Sequence, residues 1–126
     1  MMTNPFPKVM AVLALTAAAA CARTATLSAP SGAPYARGPV EAFTHRATAS
    51  NLLVRGGPGS PEACGISATV DARTRYYQRE GSGELRGIPR SAVTVGDTVE
   101  VYVEGPVAES CPPQGYGAAV IRVARP

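Results

Sequence analysis

The chain of 126 residues contains no tryptophan, two phenylalanines and a single histidine, His45. His45 would therefore have to be the base of any Ser-His-Asp triad. A lone histidine more often lies on a surface or a strand than acts as a base or ligand. Neither Ser60 nor Ser110 lies in the G-x-S-x-G turn that presents a nucleophile. No C-x-x-C or H-x-x-x-H spacing is present. We therefore predict a protein that is not an enzyme and that has no cofactor or metal site.

Charged residues are also few, at 17% of the chain, and 12 basic against 9 acidic residues give a formal net charge of +3. The charges are interspersed and form no basic patch, so we expect no nucleic acid as a partner. The carboxylates of Glu100 and Glu104 share one face of a predicted strand. We expect that face to be solvated, which is the usual setting for such a pair.

No apolar run is long enough for a membrane-spanning helix, which needs roughly 20 residues to cross a hydrocarbon core of about 30 Å. The run from Val9 to Ala20 has 12 uncharged, mostly apolar residues, follows Lys8 and ends directly before Cys21. This arrangement is typical of a cleavable export signal. Ala18-Ala19-Ala20-Cys21 resembles a bacterial lipobox, although its first alanine stands where the best matches carry leucine. We predict a signal peptide over residues 1–20 and lipidation of Cys21, which anchors the protein to a membrane.

Ordinary secretion is the alternative to lipidation. Cleavage after Ala20 or Ala22 by an A-x-A rule would produce a soluble secreted binding or inhibitor domain without a lipid anchor. Residues 21–39 are rich in Ala, Ser, Thr and Pro and lack an apolar period, so they are predicted to form a flexible tether. The expected location is a bacterial membrane surface in the first case and the medium or the periplasm in the second.

The three cysteines leave one thiol unexplained in an exported protein. If Cys21 carries a lipid, Cys64 and Cys111 remain as a pair, and both lie in loops that contain proline or glycine. An oxidising compartment favours a disulfide between them. This bridge would close a loop of about 47 residues and contribute about 4 kcal/mol to the free energy of unfolding. Two unpaired buried thiols are the alternative.

Residues 40–126 are predicted to form one small domain of short β-strands. Apolar and polar residues alternate most clearly at Val99, Val101 and Val103, which is the period of a half-buried strand. The same pattern predicts strands over residues 66–70 and 119–123. A strand near a sheet edge is predicted over residues 74–79, and at least one more within residues 40–54.

A single short helical turn is expected, at Pro89 to Val93, because no helical stripe continues for ten residues. Turns with glycine or proline separate the predicted strands at short intervals, including Glu80-Gly81-Ser82-Gly83 and Val95-Gly96-Asp97. Five or six short strands in about 85 residues favour an all-β fold, specifically a small OB-like antiparallel barrel.

Two motifs resemble the YobA-like family of small bacterial exported domains. They are Val95-Gly96-Asp97 before a strand and Gly105-Pro106-Val107-Ala108-Glu109-Ser110, followed by Pro112 and Gln114. The resemblance covers roughly residues 40–123 and implies a β-barrel, an envelope location and often a lipid anchor. It implies no catalytic residues, because the family has no assigned function. Its members usually carry an aromatic residue where Cys111 stands here.

Three residues are candidate ligand contacts: Glu109, Tyr76 and Tyr77. Glu109 lies in a proline-rich loop, where its carboxylate caps a backbone turn or contacts a ligand. The tyrosines lie among arginines and could stack bases or sugars, as oligonucleotide-binding barrels do; the alternative is that they pack at the edge of the sheet. The sequence as a whole predicts a monomeric, membrane-tethered envelope lipoprotein that binds an unidentified ligand or protein.

Overall fold

A computed structural model describes residues 29–126, so the predicted signal peptide and Cys21 lie outside the described residues. The described chain is all-β, with seven strands and one 3-10 turn, Arg90–Ala92. The strands are β1 (Ala36–Thr44), β2 (Ser50–Val54), β3 (Ile66–Val70), β4 (Arg75–Arg79), β5 (Leu85–Gly87), β6 (Thr98–Ala108) and β7 (Gln114–Ala124). The predicted fold class and the single helical turn are therefore confirmed, with seven strands instead of five or six.

Five of the strands form a partly closed ring in the order β1-β2-β3-β7-β6 and back to β1. Strand β1 closes the ring because its first half pairs with β6 and its second half pairs with β2, with an irregularity between Val40 and Ala42. A bulge of this kind bends a strand around a barrel corner. Gly38 is required there, since an added Cβ would lie 1.8 Å from the carbonyl oxygen of Arg55.

The joint between β3 and β7 is short and parallel, with only Ser67 to Thr69 paired to Gln114 to Tyr116. Beyond this seam, β7 pairs with β4, also in parallel, and β5 forms a hairpin with β4. The predicted hairpin turn at residues 80–83 is present, because the Gly83 N–H donates to the Glu80 carbonyl. The barrel is therefore antiparallel except at two pairings of β7.

Apolar side chains that alternate along the ring strands fill its interior. The largest fully buried ones include Leu52, Ile66, Val99 and Val101. Strand β1 begins at Ala36, which is 0% exposed, so residues 36–39, predicted to be part of the tether, belong to the barrel. The sequence pattern missed this strand start because its inward positions, Ala36 and Gly38, carry too little apolar surface to show a period of two.

The predicted disulfide between Cys64 and Cys111 is confirmed, with 5.3 Å between the two Cα atoms. Cys64 lies just before β3 and Cys111 just before β7, so the bridge joins the two strands where their parallel pairing begins. The Ser67 N–H also donates to the carbonyl of Pro113, at 2.9 Å. The disulfide therefore closes one end of the seam.

A buried ion pair fixes the 3-10 turn and the β4 strand to the barrel. Arg122 is 6% exposed and Asp97 is 1% exposed, and their charged groups lie 3.4 Å apart. The Arg122 guanidinium also donates to the side chain of Gln78 on β4 and to the Ala92 carbonyl in the 3-10 turn. Asp97 in turn accepts the Thr94 N–H at 3.0 Å. One arginine therefore connects three segments that are distant in sequence.

The outer face of β6 differs from the solvated face expected for Glu100 and Glu104. Glu104 is exposed, but Glu100 is only 8% exposed. Its carboxylate lies between Arg79, at 2.8 Å, and Arg37, at 3.4 Å. The expectation was wrong for Glu100 because two arginines cover it, one from the neighbouring strand β1 and one from β4, which lies on the far side of β7.

Candidate functional site

One pocket on the surface of residues 29–126 has a volume of about 640 Å³. Four segments surround it: the loop between β1 and β2, the turn between β3 and β4, the start of β4, and the stretch from Gly87 to Arg90. Small or apolar side chains form much of its wall, among them Ala47, Ala72, Ile88 and Pro89. The pocket therefore combines an apolar wall with the polar groups described next.

The turn between β3 and β4 forms one wall and is fixed by Asp71 and Thr74. The Asp71 N–H donates to the Thr74 hydroxyl at 3.1 Å, and the Arg73 N–H donates to the Asp71 carboxylate at 2.9 Å. Thr74 in turn donates its hydroxyl proton to the Gly117 carbonyl on β7, at 2.8 Å. This turn therefore anchors the pocket wall to the far end of the seam.

Asp71 is the only carboxylate in the pocket lining, and its charge is already engaged. The Tyr116 hydroxyl donates to it at 2.7 Å, and this bond, with the Arg73 N–H, holds the pKa of Asp71 below its usual value. The Arg73 guanidinium lies 4.0 Å away. Asp71 is therefore ionised at neutral pH and serves the turn that it holds.

Two arginines contribute positive charge to the pocket, and neither is paired with a carboxylate within residues 29–126. Arg75 is exposed at the start of β4 and makes no hydrogen bond or ion pair in that part of the chain. Arg90 donates to the hydroxyl of Ser50, a neutral group that is 3% exposed, at 3.2 Å. Both guanidinium groups thus keep donor capacity for a ligand.

Tyr76 extends from β4 into the barrel core and lines the pocket from inside. It is 7% exposed, and its hydroxyl is buried without a hydrogen-bond partner. Burial raises the pKa of Tyr76 to about 12, although the positive charge of Arg90 acts in the opposite direction. The hydroxyl is therefore neutral and can donate or accept a hydrogen bond at all physiological pH values.

Tyr76 and Tyr77, the two candidate stacking residues, do not share a face of the sheet. Tyr76 and Tyr77 are consecutive on β4, so their rings point to opposite faces. The Tyr77 ring packs outside the barrel with Ala119 and Ile121, where it is 9% exposed. Two buried rings on opposite faces provide no exposed surface for stacking, and of the two tentative contacts Tyr76 alone contributes an unpartnered polar group to the pocket.

Glu109 lies away from the pocket, exposed in the loop between β6 and β7. Among residues 29–126 its carboxylate has no hydrogen bond or ion pair, so the predicted turn cap is absent. The loop is held instead by the disulfide and by the Ser110 hydroxyl, which donates to the Pro112 carbonyl at 2.7 Å. His45 is exposed as well and contacts the ring of Phe43, with 4.4 Å between ring centroids.

The second pocket, of about 430 Å³, is lined by Arg37 and Arg55. Both arginines are engaged, since Arg37 pairs with Glu100 and Arg55 pairs with Glu41 at 3.0 Å. No buried polar group without a partner lines this pocket. The first pocket is therefore the stronger candidate for a ligand site.

The sequence reasoning did not identify Arg75 and Arg90 as site residues. The two are 15 positions apart, lie among 11 arginines in the whole chain and belong to no motif. They share a pocket because the hairpin of β4 and β5 reverses the chain, which brings Gly87 to Arg90 back alongside β4. Only the pairing of β4 with β5 could have revealed this proximity.

Over residues 29–126 no group of three or more His, Cys, Asp or Glu side chains could hold a metal ion. In the same range no helix has the length and apolar character to cross a membrane.

No family model, no curated protein and no solved structure matches this chain.

Proposed function

We propose that the protein is an exported, lipid-anchored domain that binds a small ligand and has no enzymatic activity. The observation that carries the binding function is Tyr76, which belongs to the lining of the larger pocket and whose buried hydroxyl has no hydrogen-bond partner among residues 29–126. A buried polar group without a partner costs about 1–3 kcal/mol, so such groups normally find one. A ligand that reaches Tyr76 from the pocket would supply the missing partner.

The ionisable groups of the pocket suit binding better than proton transfer. Efficient general acids and bases have a pKa near the working pH. Here Asp71 has a lowered pKa and Tyr76 a pKa of about 12, and two arginines and Tyr77 complete the ionisable lining. Asp71 is therefore ionised and Tyr76 protonated near neutral pH, which supports a site that recognises a ligand without transforming it.

The proposed location of the protein rests on the sequence. The export signal, the lipobox-like residues before Cys21 and the resemblance to YobA-like domains all favour a lipoprotein on the outer side of a bacterial membrane. From Cys21 to Gly32, whose carbonyl accepts a hydrogen bond from the Tyr102 hydroxyl on β6, an extended chain would span at most about 40 Å. An anchored barrel could therefore stand clear of the headgroup region.

Mass spectrometry of the mature protein tests the anchor. We expect the membrane fraction to contain a chain that begins at Cys21 and carries a diacylglyceryl group, and a Cys21→Ala variant to lose this modification and its membrane association. A mature chain that begins at Arg23 in the medium would contradict the anchor and establish the soluble, secreted alternative.

A fragment screen by NMR tests the binding site. The library should contain anionic, cationic and neutral compounds in equal numbers, and backbone amide shifts of the folded domain should be followed. We expect the hits to shift the amides of Arg75, Ile88 and Arg90 together. Hits that cluster elsewhere, or an absence of hits at these three residues, would refute the assignment of the pocket.

A further inference from the structure

The geometry points to a monocarboxylate with a compact apolar body as the ligand of the larger pocket. This inference rests on the binding function proposed above and names the chemical class of the ligand. It is drawn from the charge balance of the pocket, its free hydrogen-bond donors and its apolar wall.

The charge balance favours a single negative charge. Arg75 and Arg90 contribute two positive charges to the lining, and Asp71 contributes one negative charge. The Asp71 carboxylate stays ionised because Tyr116 and the Arg73 N–H both donate to it. The pocket therefore has a net charge of one positive unit, which a monoanion neutralises and a dianion exceeds.

The free donors match a carboxylate. A guanidinium presents parallel N–H groups that fit the two oxygens of a carboxylate, and Arg75 has no partner among residues 29–126 that competes for them. Arg90 donates only to the neutral hydroxyl of Ser50, so its remaining N–H groups are available. The Tyr76 hydroxyl adds a neutral donor, which is buried and unpartnered.

The apolar wall excludes the smallest anions as preferred ligands. Ala47, Ala72, Ile88 and Pro89 belong to the lining together with the charged groups. Inorganic phosphate would leave the apolar wall exposed to water, and its second negative charge would be repelled by the Asp71 carboxylate. An organic acid instead covers the wall, and burial of its apolar surface contributes about 25 cal/mol per Å². A branched or aromatic body of modest size fits a pocket of about 640 Å³.

The test is an NMR titration of the folded domain with three related probes. They are 3-phenylpropionate, its uncharged amide 3-phenylpropionamide, and phenyl phosphate, which is largely dianionic above pH 7. We expect 3-phenylpropionate to shift the amides of Arg75, Ile88 and Arg90 and to bind roughly tenfold to a hundredfold more tightly than the amide, the range for a charge-assisted hydrogen bond. The phosphate ester should also bind less tightly than the carboxylate.

Two variants assign the effect to the pocket. Arg75→Gln should weaken binding of 3-phenylpropionate roughly tenfold or more and leave the amide unaffected, and it should fold normally because the side chain is exposed and unpartnered. Tyr76→Phe should weaken binding several-fold through loss of one donor. Arg125→Gln is the matched control, since Arg125 is equally exposed and unpartnered but does not line the pocket, and its affinity should equal that of the unmodified domain.

The outcomes separate this inference from the proposed function. If the amide or the phosphate ester binds at the same amides as tightly as the carboxylate, the pocket is a ligand site but the carboxylate assignment is wrong. Equal affinity of the Arg75→Gln variant and the Arg125→Gln control for the carboxylate would also overturn it. If none of the three probes shifts the pocket amides, the carboxylate assignment fails, and the unbiased fragment screen then decides whether the pocket binds ligands at all.

Discussion

Single residues in this protein acquire their roles from what surrounds them after folding. Tyr76 and Tyr77 are identical neighbours in the sequence, yet one has an unpartnered hydroxyl beside a pocket and the other packs on the outside of β7. The sequence could predict that a strand carries both rings, because the alternation of the segment is visible. It could not predict which face is inside, since both faces of β4 bury aromatic side chains.

Replacement of Tyr76 by phenylalanine should make the stability of the folded domain depend less on pH in the alkaline range. Burial raises the pKa of Tyr76 from 10.0 to about 12, so the folded state retains a proton that the unfolded chain loses first. The stabilisation linked to this proton is complete below pH 10 and is lost as the pH rises towards 12. We expect thermal unfolding of Tyr76→Phe to depend less on pH across this interval than that of the unmodified domain.

The same variant should not be destabilised near pH 7, because it removes a buried hydroxyl that has no partner. Parallel pH profiles for the two proteins between pH 10 and pH 12 would show that Tyr76 ionises as readily in the folded state as in the unfolded chain. A clear loss of stability at pH 7 would instead show that the hydroxyl has a partner in solution.

At the scale of elements, the hairpin of β4 and β5 is an addition to a five-stranded ring. It pairs with the second half of β7, and the 3-10 turn returns the chain to β6. The sequence predicted β3, the hairpin turn and the 3-10 turn from alternation and from glycine and proline positions. It could not predict the pocket, because the lining comes from four segments that meet only when β4 leaves the ring and pairs with β7.

The attachment of the β4–β5 hairpin to the ring should depend most on Arg122. Arg122→Met removes the bonds to Gln78 and Ala92 and leaves the Asp97 carboxylate buried without its counter-ion. Loss of one partner from a buried ion pair costs about 3–5 kcal/mol, and we expect this decrease in the free energy of unfolding measured with urea.

The matched control is Arg125→Met, which removes an exposed arginine just after the same strand. Surface substitutions of this kind usually change the free energy of unfolding by less than about 0.5 kcal/mol. If the two variants unfold at the same urea concentration, the Arg122 network does not hold the elements together.

At the scale of the whole molecule, ring closure depends on the short seam between β3 and β7. Three residue pairs form it, with the Cys64–Cys111 disulfide at one end and the bonds from Thr74 and Tyr116 at the other. The sequence predicted the disulfide because lipidation of Cys21 would leave Cys64 and Cys111 as an even pair. It could not predict that both cysteines precede strands that run side by side, since this follows from the order of strands in the ring.

Removal of the disulfide should therefore weaken the whole barrel. Its cysteines are separated by 47 residues, and loss of a native disulfide from a small domain typically costs about 2–5 kcal/mol. We expect the Cys64→Ser, Cys111→Ser double variant to show this decrease in the free energy of unfolding, and a reducing agent to have the same effect on the unmodified domain but none on the variant. Equal stability of the reduced and oxidised forms would contradict this role.

The position of the disulfide also determines what happens when the backbone is cut. The bridge encloses β3, β4, β5 and β6, and the most exposed stretch inside it is the hairpin turn at Gly81 to Glu84. A protease that cleaves this turn would produce two fragments, but each would keep one of the bridged cysteines. The cleaved protein would remain a single covalent molecule with both sides of its seam still joined, and only reduction would release the fragments from each other.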